Sequence, residues 1–171
     1  MSILTKEEIL KEIEKKALVI TPFSKDQVGP ASVDLHLGPE FRMFKKVHQT
    51  FIVDDAASSE KELTERTIVK QGNHYLLTPG ETVLAVTRER IKLPPYLCGW
   101  LEGRGRFARL GLDIRIGAGF VQPGTDNQVF FTITNQGPAV LEIYPGTRIC
   151  QLILQRTVGE AVYEGKFKRV K

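Results

Sequence analysis

The feature that most constrains the fold is a long succession of short apolar runs, each bounded by glycine, proline or asparagine. From Val33 onward apolar and polar residues alternate with a period of two, which is typical of half-buried β-strands. The clearest runs are 33–37, 82–87, 97–101, 112–116, 129–134, 140–143 and 149–154, with two further strands suggested by Phe41 and Met43 and by 51–53. The 15 glycines and 9 prolines among 171 residues supply the turns. This spacing predicts a mainly β protein, either a barrel or a double-sheet jelly roll.

Only the N-terminal segment has a clear helical periodicity. Thr5 and Glu8 have the spacing of a capping box, and the apolar residues that follow recur at helical intervals: Ile9, Leu10, Ile13 and Ala17. We therefore predict one short amphipathic helix at about 5–16, and at most one more between Arg104 and Leu110. The length, with 42% hydrophobic residues, fits a single domain over 1–171 that ends in a flexible basic tail at about 158–171.

The charge balance mildly favours an anionic partner. The chain carries 24 Lys and Arg against 20 Asp and Glu, which gives a net charge of +4. Part of the excess lies in the tail, at Lys166, Lys168, Arg169 and Lys171. The tail is therefore either a solvated end or an arm that closes over a ligand.

Membrane proteins, disulfide-rich proteins and histidine metal sites are not indicated. No segment approaches the 18 or so apolar residues that cross a bilayer, and the N-terminus has no hydrophobic signal region, so we expect a cytoplasmic protein. Cys98 and Cys150 lie far apart and outside any C-x-x-C pair. The three histidines, His36, His48 and His74, are scattered without the spacing of a metal motif.

Two turns share a Pro-Gly pattern, at Pro79-Gly80 and at Pro145-Gly146, and an apolar strand follows each. Proline sets φ at the first corner and glycine tolerates the positive φ of the second, so we predict type II turns.

The most unusual stretch is 103–112, which holds Arg104, Arg106 and Arg109 around Gly105. Arginine forks bind phosphate oxygens bidentately, and a glycine lets backbone N–H groups approach an anion closely. The stretch is therefore either part of a triphosphate site or a basic surface turn whose arginines pair with nearby carboxylates.

Four segments, in order along nearly the whole chain, resemble the motifs of the dCTP deaminase and trimeric dUTPase family. The first is Ala31-Ser32-Val33-Asp34-Leu35-His36-Leu37-Gly38 with Phe41-Arg42, and the second is Leu97-Cys98-Gly99-Trp100-Leu101-Glu102-Gly103-Arg104 running into Ala108-Arg109-Leu110-Gly111-Leu112. The third begins at Gly119-Phe120-Val121-Gln122-Pro123-Gly124, and the fourth is Pro145-Gly146-Thr147-Arg148-Ile149-Cys150-Gln151-Leu152-Ile153. The second motif and the tail resemble the deaminase branch.

The resemblance implies a jelly-roll-like β barrel, assembled as a homotrimer with sites at subunit boundaries, and a hydrolase acting on dCTP or dUTP with Mg²⁺. It places Arg104 and Arg109 on phosphate, beside Gly105 and Arg106, and Ala118 in the base pocket. Other residues implied at the nucleotide are Phe130 and Phe131 along the base, Gln122, Gln151, and Tyr163 and Lys166 of the tail. Asp34 is implied to be structural or to contact magnesium through water, with no protein ligand on the metal itself.

The resemblance also exposes departures at catalytic positions. The family deaminates without zinc, through a glutamate that moves protons and a serine in the second motif; these positions hold Thr132 and, for the serines, Gly105 and Arg106. The aspartate that orients water in dUTPases is replaced by Gln122. Neither a threonine hydroxyl nor an amide accepts a proton near neutral pH. Substitute acids are available in sequence at Asp113, Asp126 and Glu102.

Two hypotheses therefore stay open: an enzyme that acts on dCTP or dUTP, and a catalytically impaired relative that binds dCTP, dUTP or dTTP and regulates. A nucleic-acid-binding barrel is disfavoured, because the aromatic residues lie mostly in apolar runs and are not interleaved with Lys and Arg.

Overall fold

The computed structural model describes residues 2–48, 50–52, 63–115 and 119–165. The regular secondary structure of the described chain is mostly β-strand, with helices α1 (Lys6–Glu14) and α2 (Gly105–Ala108) and a 3₁₀ turn at Lys25–Gln27. The strands are β1 (Val19–Thr21), β2 (Val33–Phe44), β3 (Thr64–Ile68), β4 (Tyr75–Leu77), β5 (Thr82–Lys92), β6 (Leu97–Gly103), β7 (Leu112–Arg115), β8 (Phe120–Val121), β9 (Asp126–Asn135), β10 (Leu141–Ile143) and β11 (Arg148–Arg156). The mainly β prediction is confirmed.

Nine of these strands form one antiparallel sheet, in the order β7-β9-β5-β2-β11-β6-β8, with β1 added on β5 and β3 on β2. The sheet curls until its two ends approach each other. Gly103 of β6 lies against Ile114 of β7, where an added Cβ would be 3.3 Å from the Ile114 side chain. β4 and β10 pair separately as a small two-stranded sheet. The result is a half-closed barrel around one core.

The core is filled by the inward face of each strand. Val33, Leu35 and Leu37 alternate along β2 and are fully buried, and Leu152 and Leu154 do the same on β11. The ring of Phe41 stacks on that of Tyr75 at 4.9 Å and joins the small sheet to the barrel. Alternation of this kind places every second residue of a strand on the outer face of the sheet, where its side chain can contact a ligand.

Helix α1 confirms the helix predicted at the N-terminus, and Ile9 packs into the core. The capping box predicted from Thr5 and Glu8 is wrong: Thr5 is the N-cap residue, but its side chain makes no capping hydrogen bond. Glu12, on the same helix, is buried, an outcome that the amphipathic pattern did not suggest.

Two strand assignments differ from the prediction. The runs at 33–37 and 41–43 belong to one continuous strand, β2, and neither Phe51 nor Ile52 lies in a strand, while Val53 is outside the described residues. β3 was not predicted, because its sequence Thr-Glu-Arg-Thr-Ile is mostly polar. A strand that hydrogen-bonds on one side only and faces solvent needs no apolar alternation.

The predicted Pro-Gly turns are confirmed. Gly80 and Gly146 have φ of 79° and 87°, and the closing bonds run from Glu81 N–H to the Thr78 carbonyl at 3.0 Å and from Thr147 N–H to the Tyr144 carbonyl at 3.2 Å. A third turn of this kind occurs at Gln122–Thr125, where Gly124 has φ of 75° and Thr125 N–H donates to the Gln122 carbonyl.

Both cysteines are free and buried, and burial raises the pKa of the Cys150 thiol to about 12. Within the described residues, no helix combines the length and the apolar character that spanning a membrane requires.

Candidate functional site

Arg104 is the residue that connects β6 to α2, and its guanidinium lies against strand β2. Its Nη1 lies 3.4 Å from the carboxylate of Asp34 and 3.4 Å from the backbone carbonyl of Arg148, to which it donates. Asp34 and Arg104 are both half-buried. The first and second motifs of the sequence therefore meet in one ion pair on the outer face of the sheet.

The sheet register adds the fourth motif to this pair. Gln151 of β11 lies opposite Asp34 of β2 on one side and opposite Glu102 of β6 on the other. Residues directly opposite each other in an antiparallel pair point to the same face. The Gln151 amide oxygen also accepts a hydrogen bond from the Ser32 hydroxyl at 3.4 Å. Three separate motifs thus supply one row of polar side chains.

Arg148 is a member of this cluster that sequence reasoning missed. Its Nη1 lies 3.8 Å from the Asp34 carboxylate, and its Nη2 forms an ion pair with Asp26. The sequence offered one signal, a basic residue that directly follows the Pro145-Gly146 turn. The cluster therefore gathers two cations around Asp34.

The arginines of the second motif divide into two kinds. Arg106 and Arg109 are exposed, and within the described part of the chain neither guanidinium is within ion-pair distance of a carboxylate. Arg106 packs over the neighbouring Phe107 ring at 4.6 Å. Of the three arginines, only Arg104 pairs with a carboxylate, as the alternative interpretation predicts. Arg106 and Arg109 face solvent and are available to an anion.

Gly105 begins α2 between these cations. A Cβ added there would meet nothing within 4 Å among the described atoms, and its φ is not left-handed. The backbone therefore does not require glycine at this position, and a serine fits the space.

Thr132 occupies the middle of β9 and is half-buried. In register it lies opposite Leu84 of β5 and Arg115 of β7. Asp113 of β7 pairs with Thr134, the next residue on the same face, and its carboxylate accepts a hydrogen bond of 2.8 Å from the Gln136 amide. Among the substitute acids, Asp113 is therefore a diagonal neighbour of Thr132.

The other substitute acids lie elsewhere. Asp126 begins β9, in an ion pair of 2.7 Å with Arg90, and six residues of extended chain separate it from Thr132 by about 20 Å. Glu102 is exposed on β6, beside Gln151. Gln122 is exposed at the start of the Pro123-Gly124 turn.

The two phenylalanines expected along the base point in opposite directions. Phe130 is half-buried on the outer face, where the Arg42 guanidinium lies 5.1 Å from its ring centre. Phe131 is 2% exposed and its side chain belongs to the core, so residue 131 can meet a base only through its backbone. Its neighbour on a strand cannot share its face, because side chains alternate with a period of two.

The chain after β11 folds back onto the barrel. We call residues 157–163 the strap. Thr157 N–H donates to the Tyr96 carbonyl at 3.0 Å, Ala161 N–H to that of Pro95 at 3.0 Å, and Tyr163 N–H to that of Pro123 at 2.9 Å. Tyr163 is thereby held beside the turn that begins at Gln122. Ala118 and Lys166, also expected at the nucleotide, lie outside the described residues.

The described residues do not form a cage for a metal ion. They contain no group of three or more His, Cys, Asp or Glu side chains placed to hold one, and the Asp34 carboxylate is already flanked by Arg104 and Arg148. Among the described residues, these carboxylates therefore do not form a site that would hold Mg²⁺ by protein ligands alone.

The described chain is a curled antiparallel sheet whose outer face gathers arginines, a glutamine and a paired aspartate from three motifs, which places it in the class of mainly β, barrel-like proteins. Within that class the family is shown by comparison: a model described as dCTP deaminase-like matches residues 3–157. The chain belongs to the dCTP deaminase-like family.

Curated relatives and a solved structure agree with this family. The chain is 35% identical over 156 residues to a dUMP-forming dCTP deaminase of Methanobrevibacter smithii, covering 91% of this chain and 80% of that protein. It is 38% identical over 152 residues to one of Dictyoglomus thermophilum, covering 88% and 78%. The crystal structure of the 2'-deoxycytidine 5'-triphosphate deaminase from Agrobacterium tumefaciens superposes with a TM-score of 0.70 at 18% identity. That match covers 91% of this chain and about half, 48%, of the other, and it supports the shared fold.

Proposed function

We propose that this chain binds a pyrimidine deoxynucleoside triphosphate together with Mg²⁺ and acts on dCTP or dUTP. The observation that carries the proposal is the convergence of Arg104 and Gln151 on one face of the sheet, next to the unpaired cations Arg106 and Arg109. Guanidinium groups that are free of carboxylate partners favour a phosphate chain, which offers several anionic oxygens in a row. The relatives named dUMP-forming dCTP deaminases support a pyrimidine as the base.

The proposed reactions each consume one water. In deamination, water adds to the ring carbon that bears the amino group, and ammonia leaves to give dUTP. In hydrolysis, water attacks a phosphorus of dUTP, and dUMP and pyrophosphate are formed. Both need a group that takes a proton from water near neutral pH. Of the three substitute acids, all within the described residues, Asp113 is the carboxylate placed nearest to Thr132, as its diagonal neighbour, and we assign it that role.

A second candidate function is favoured by three replacements that occur together. Gly105, Gln122 and Thr132 stand where the family's catalytic side chains are expected, and none of the three can act as a base near pH 7. A chain of this kind would bind dCTP, dUTP or dTTP without converting it and would regulate through the bound state.

One experiment separates these two functions. The protein is incubated with dCTP, dUTP and dTTP in the presence of Mg²⁺, and chromatography distinguishes a changed base from released pyrophosphate. Product from dCTP or dUTP supports the enzyme. Nucleotides that raise the melting temperature without product support the binding protein, because a ligand that binds only the folded state stabilises it. If neither occurs, the nucleotide assignment is wrong.

The exposed arginines give a sharper test of the site. Replacing Arg109 by Ala, or Arg104 by Ala, is expected to weaken triphosphate binding by about 1.5–3 kcal/mol, because each change removes a charge-assisted hydrogen bond to phosphate. Isothermal titration calorimetry measures the affinity. Arg66→Ala is the matched control. Arg66 lies on the edge strand β3 and forms its ion pair with Glu40 of β2. If all three variants bind the triphosphate with equal affinity, Arg104 and Arg109 do not contact phosphate.

We further propose a cytoplasmic homotrimer with nucleotide sites at the subunit boundaries. The support is the family's assembly and the partial exposure of Phe130 and Thr132 on one face of a single chain. Light scattering coupled to size-exclusion chromatography gives the molar mass, and the mass of one 19.2 kDa chain would contradict the trimer.

A further inference from the structure

A buried carboxylate lies outside the site described above. Glu12 of helix α1 is only 2% exposed, and it faces the end of β11. Its Oε1 accepts a hydrogen bond of 2.7 Å from Arg156 Nη2, and its Oε2 accepts one of 2.9 Å from the Tyr96 hydroxyl. Burying a carboxylate is costly unless it is paired and hydrogen-bonded, so these two partners are what keep Glu12 in place.

Arg156 is held on more than one side. Besides the bond to Glu12, its Nη2 lies 3.6 Å from the Glu8 carboxylate, and its guanidinium is 5.8 Å from the centre of the Tyr96 ring. The hydrogen bond to Glu12 raises the pKa of Tyr96, so the phenol keeps the proton that it donates. The three side chains therefore form one cluster that joins α1, β11 and the loop before β6.

The strap begins at the next residue. Arg156 is the last residue of β11, and Thr157 N–H donates to the backbone carbonyl of Tyr96, the residue whose side chain enters the cluster. Further along, Ala161 N–H is bonded to the carbonyl of Pro95. The loop before β6 therefore has two roles. The Tyr96 side chain completes the cluster, and the backbone carbonyls of Pro95 and Tyr96 accept hydrogen bonds from the strap.

At its far end the strap packs on the turn beside Gln122. Tyr163 N–H donates to the Pro123 carbonyl, and Val162 lies so close to Gly124 that a Cβ added there would be 2.7 Å from Val162 Cγ1. This turn therefore has room for the strap only because residue 124 has no side chain.

We propose that Glu12 is a positioning residue: through Arg156 and Tyr96, helix α1 fixes the direction in which the chain leaves β11 and so holds the strap on the Pro123-Gly124 turn. The hydrogen-bond partners of Glu12 among the described residues, Tyr96 and Arg156, are not residues of the proposed nucleotide site. The effect of the strap on nucleotide affinity rests on the proposed function, whereas the docking of the strap does not.

The docking is tested by hydrogen exchange of the full chain without nucleotide. Glu12→Gln keeps the shape of the side chain and removes its charge, so we expect the amides of Ala161 and Tyr163 to exchange about tenfold faster, the effect of losing one charge-assisted hydrogen bond. Glu7→Gln makes the same chemical change on an exposed face of the same helix and is expected to leave both amides unchanged.

A structural role alone would give a different pattern. The amide of Ile133, in the middle of β9, reports opening of the whole sheet and is expected to keep its rate in Glu12→Gln. Arg156→Lys, which keeps the charge, is expected to retain part of the strap protection that Arg156→Met loses. Unchanged strap amides in Glu12→Gln, or equal acceleration at Ile133, would overturn the proposal.

Nucleotide binding is measured on the same proteins, so that the two proposals fail separately. Weaker dUTP binding in Glu12→Gln than in Glu7→Gln, together with faster strap exchange, supports both. Faster strap exchange in a chain whose wild type binds no dCTP, dUTP or dTTP supports the positioning role and contradicts the proposed function.

Discussion

The triple variant Thr132→Glu, Gln122→Asp, Gly105→Ser is expected to turn over dCTP or dUTP about 10²–10⁴ times faster than the wild type, the typical contribution of a positioned general acid or base. A carboxylate at 132 accepts a proton near neutral pH, which a threonine hydroxyl does not. A hydroxyl at 105 restores the serine of the second motif. The rate of product formation at saturating nucleotide and Mg²⁺ measures the gain.

Two of the three positions have room for the new side chain. Gly105 has open space around it and a φ that any residue adopts, and Gln122 is exposed. Thr132 is half-buried on an outer face, with Arg115 as its register partner.

Thr132→Gln in the same background is the matched control, because glutamine has the shape of glutamate without its basicity. Equal rates for the glutamate and glutamine variants would contradict a missing base as the cause of low turnover. The remaining difference from the family, Arg106 in the second serine position, would then be the next change to test.

Gly111→Ala is expected to lower the free energy of unfolding by about 3 kcal/mol or more, a larger loss than for Gly80→Ala. Gly111 has φ of 81°, in the left-handed region that costs a residue with a Cβ roughly 1–2 kcal/mol. In addition, the new Cβ would lie 2.5 Å from both N and Cα of Gly137, and backbone atoms cannot rotate away. The bond from Gln136 N–H to the Gly111 carbonyl, 2.8 Å long, fixes the two loops together. For a chain of this size the melting temperature should fall by about 6–12 °C.

Gly80→Ala separates the two causes. Gly80 has nearly the same φ, 79°, but nothing lies within 4 Å of an added Cβ. It should lose only the conformational part, roughly 1–2 kcal/mol. If both variants melt at the same temperature in differential scanning calorimetry, the contact with Gly137 carries no energy and the prediction for Gly111 is wrong.

Sequence patterns predicted those parts of the fold that depend on neighbours along the chain. Alternation located most strands, and the Pro-Gly turns were predicted correctly because proline fixes φ at one corner and glycine permits the positive φ of the next. β3 escaped prediction because an exposed edge strand carries no apolar period. The same limit explains the merging of two predicted runs into β2, since nothing local marks where a strand continues.

The site was predictable only as a set of motifs. The order of the motifs predicted that Arg104 and Gln151 belong to the site. Their placement in one row of polar side chains depends on the register of β2, β11 and β6. Arg148 and Glu12 were missed for the same reason, because their partners Asp34 and Arg156 are far away in the sequence. Pairing across a sheet is set by the whole fold and leaves no local pattern.

The position of β11 has a consequence for how the protein is made. Among the described strands β11 comes last along the sequence, yet it lies inside the sheet, between β2 and β6. During synthesis, the edges of β2 and β6 that pair with β11 therefore stay open until β11 itself emerges from the ribosome. Contacts between distant parts of a chain slow folding, and unpaired strand edges invite aggregation. Chains that stop before Arg148 should therefore accumulate as insoluble products.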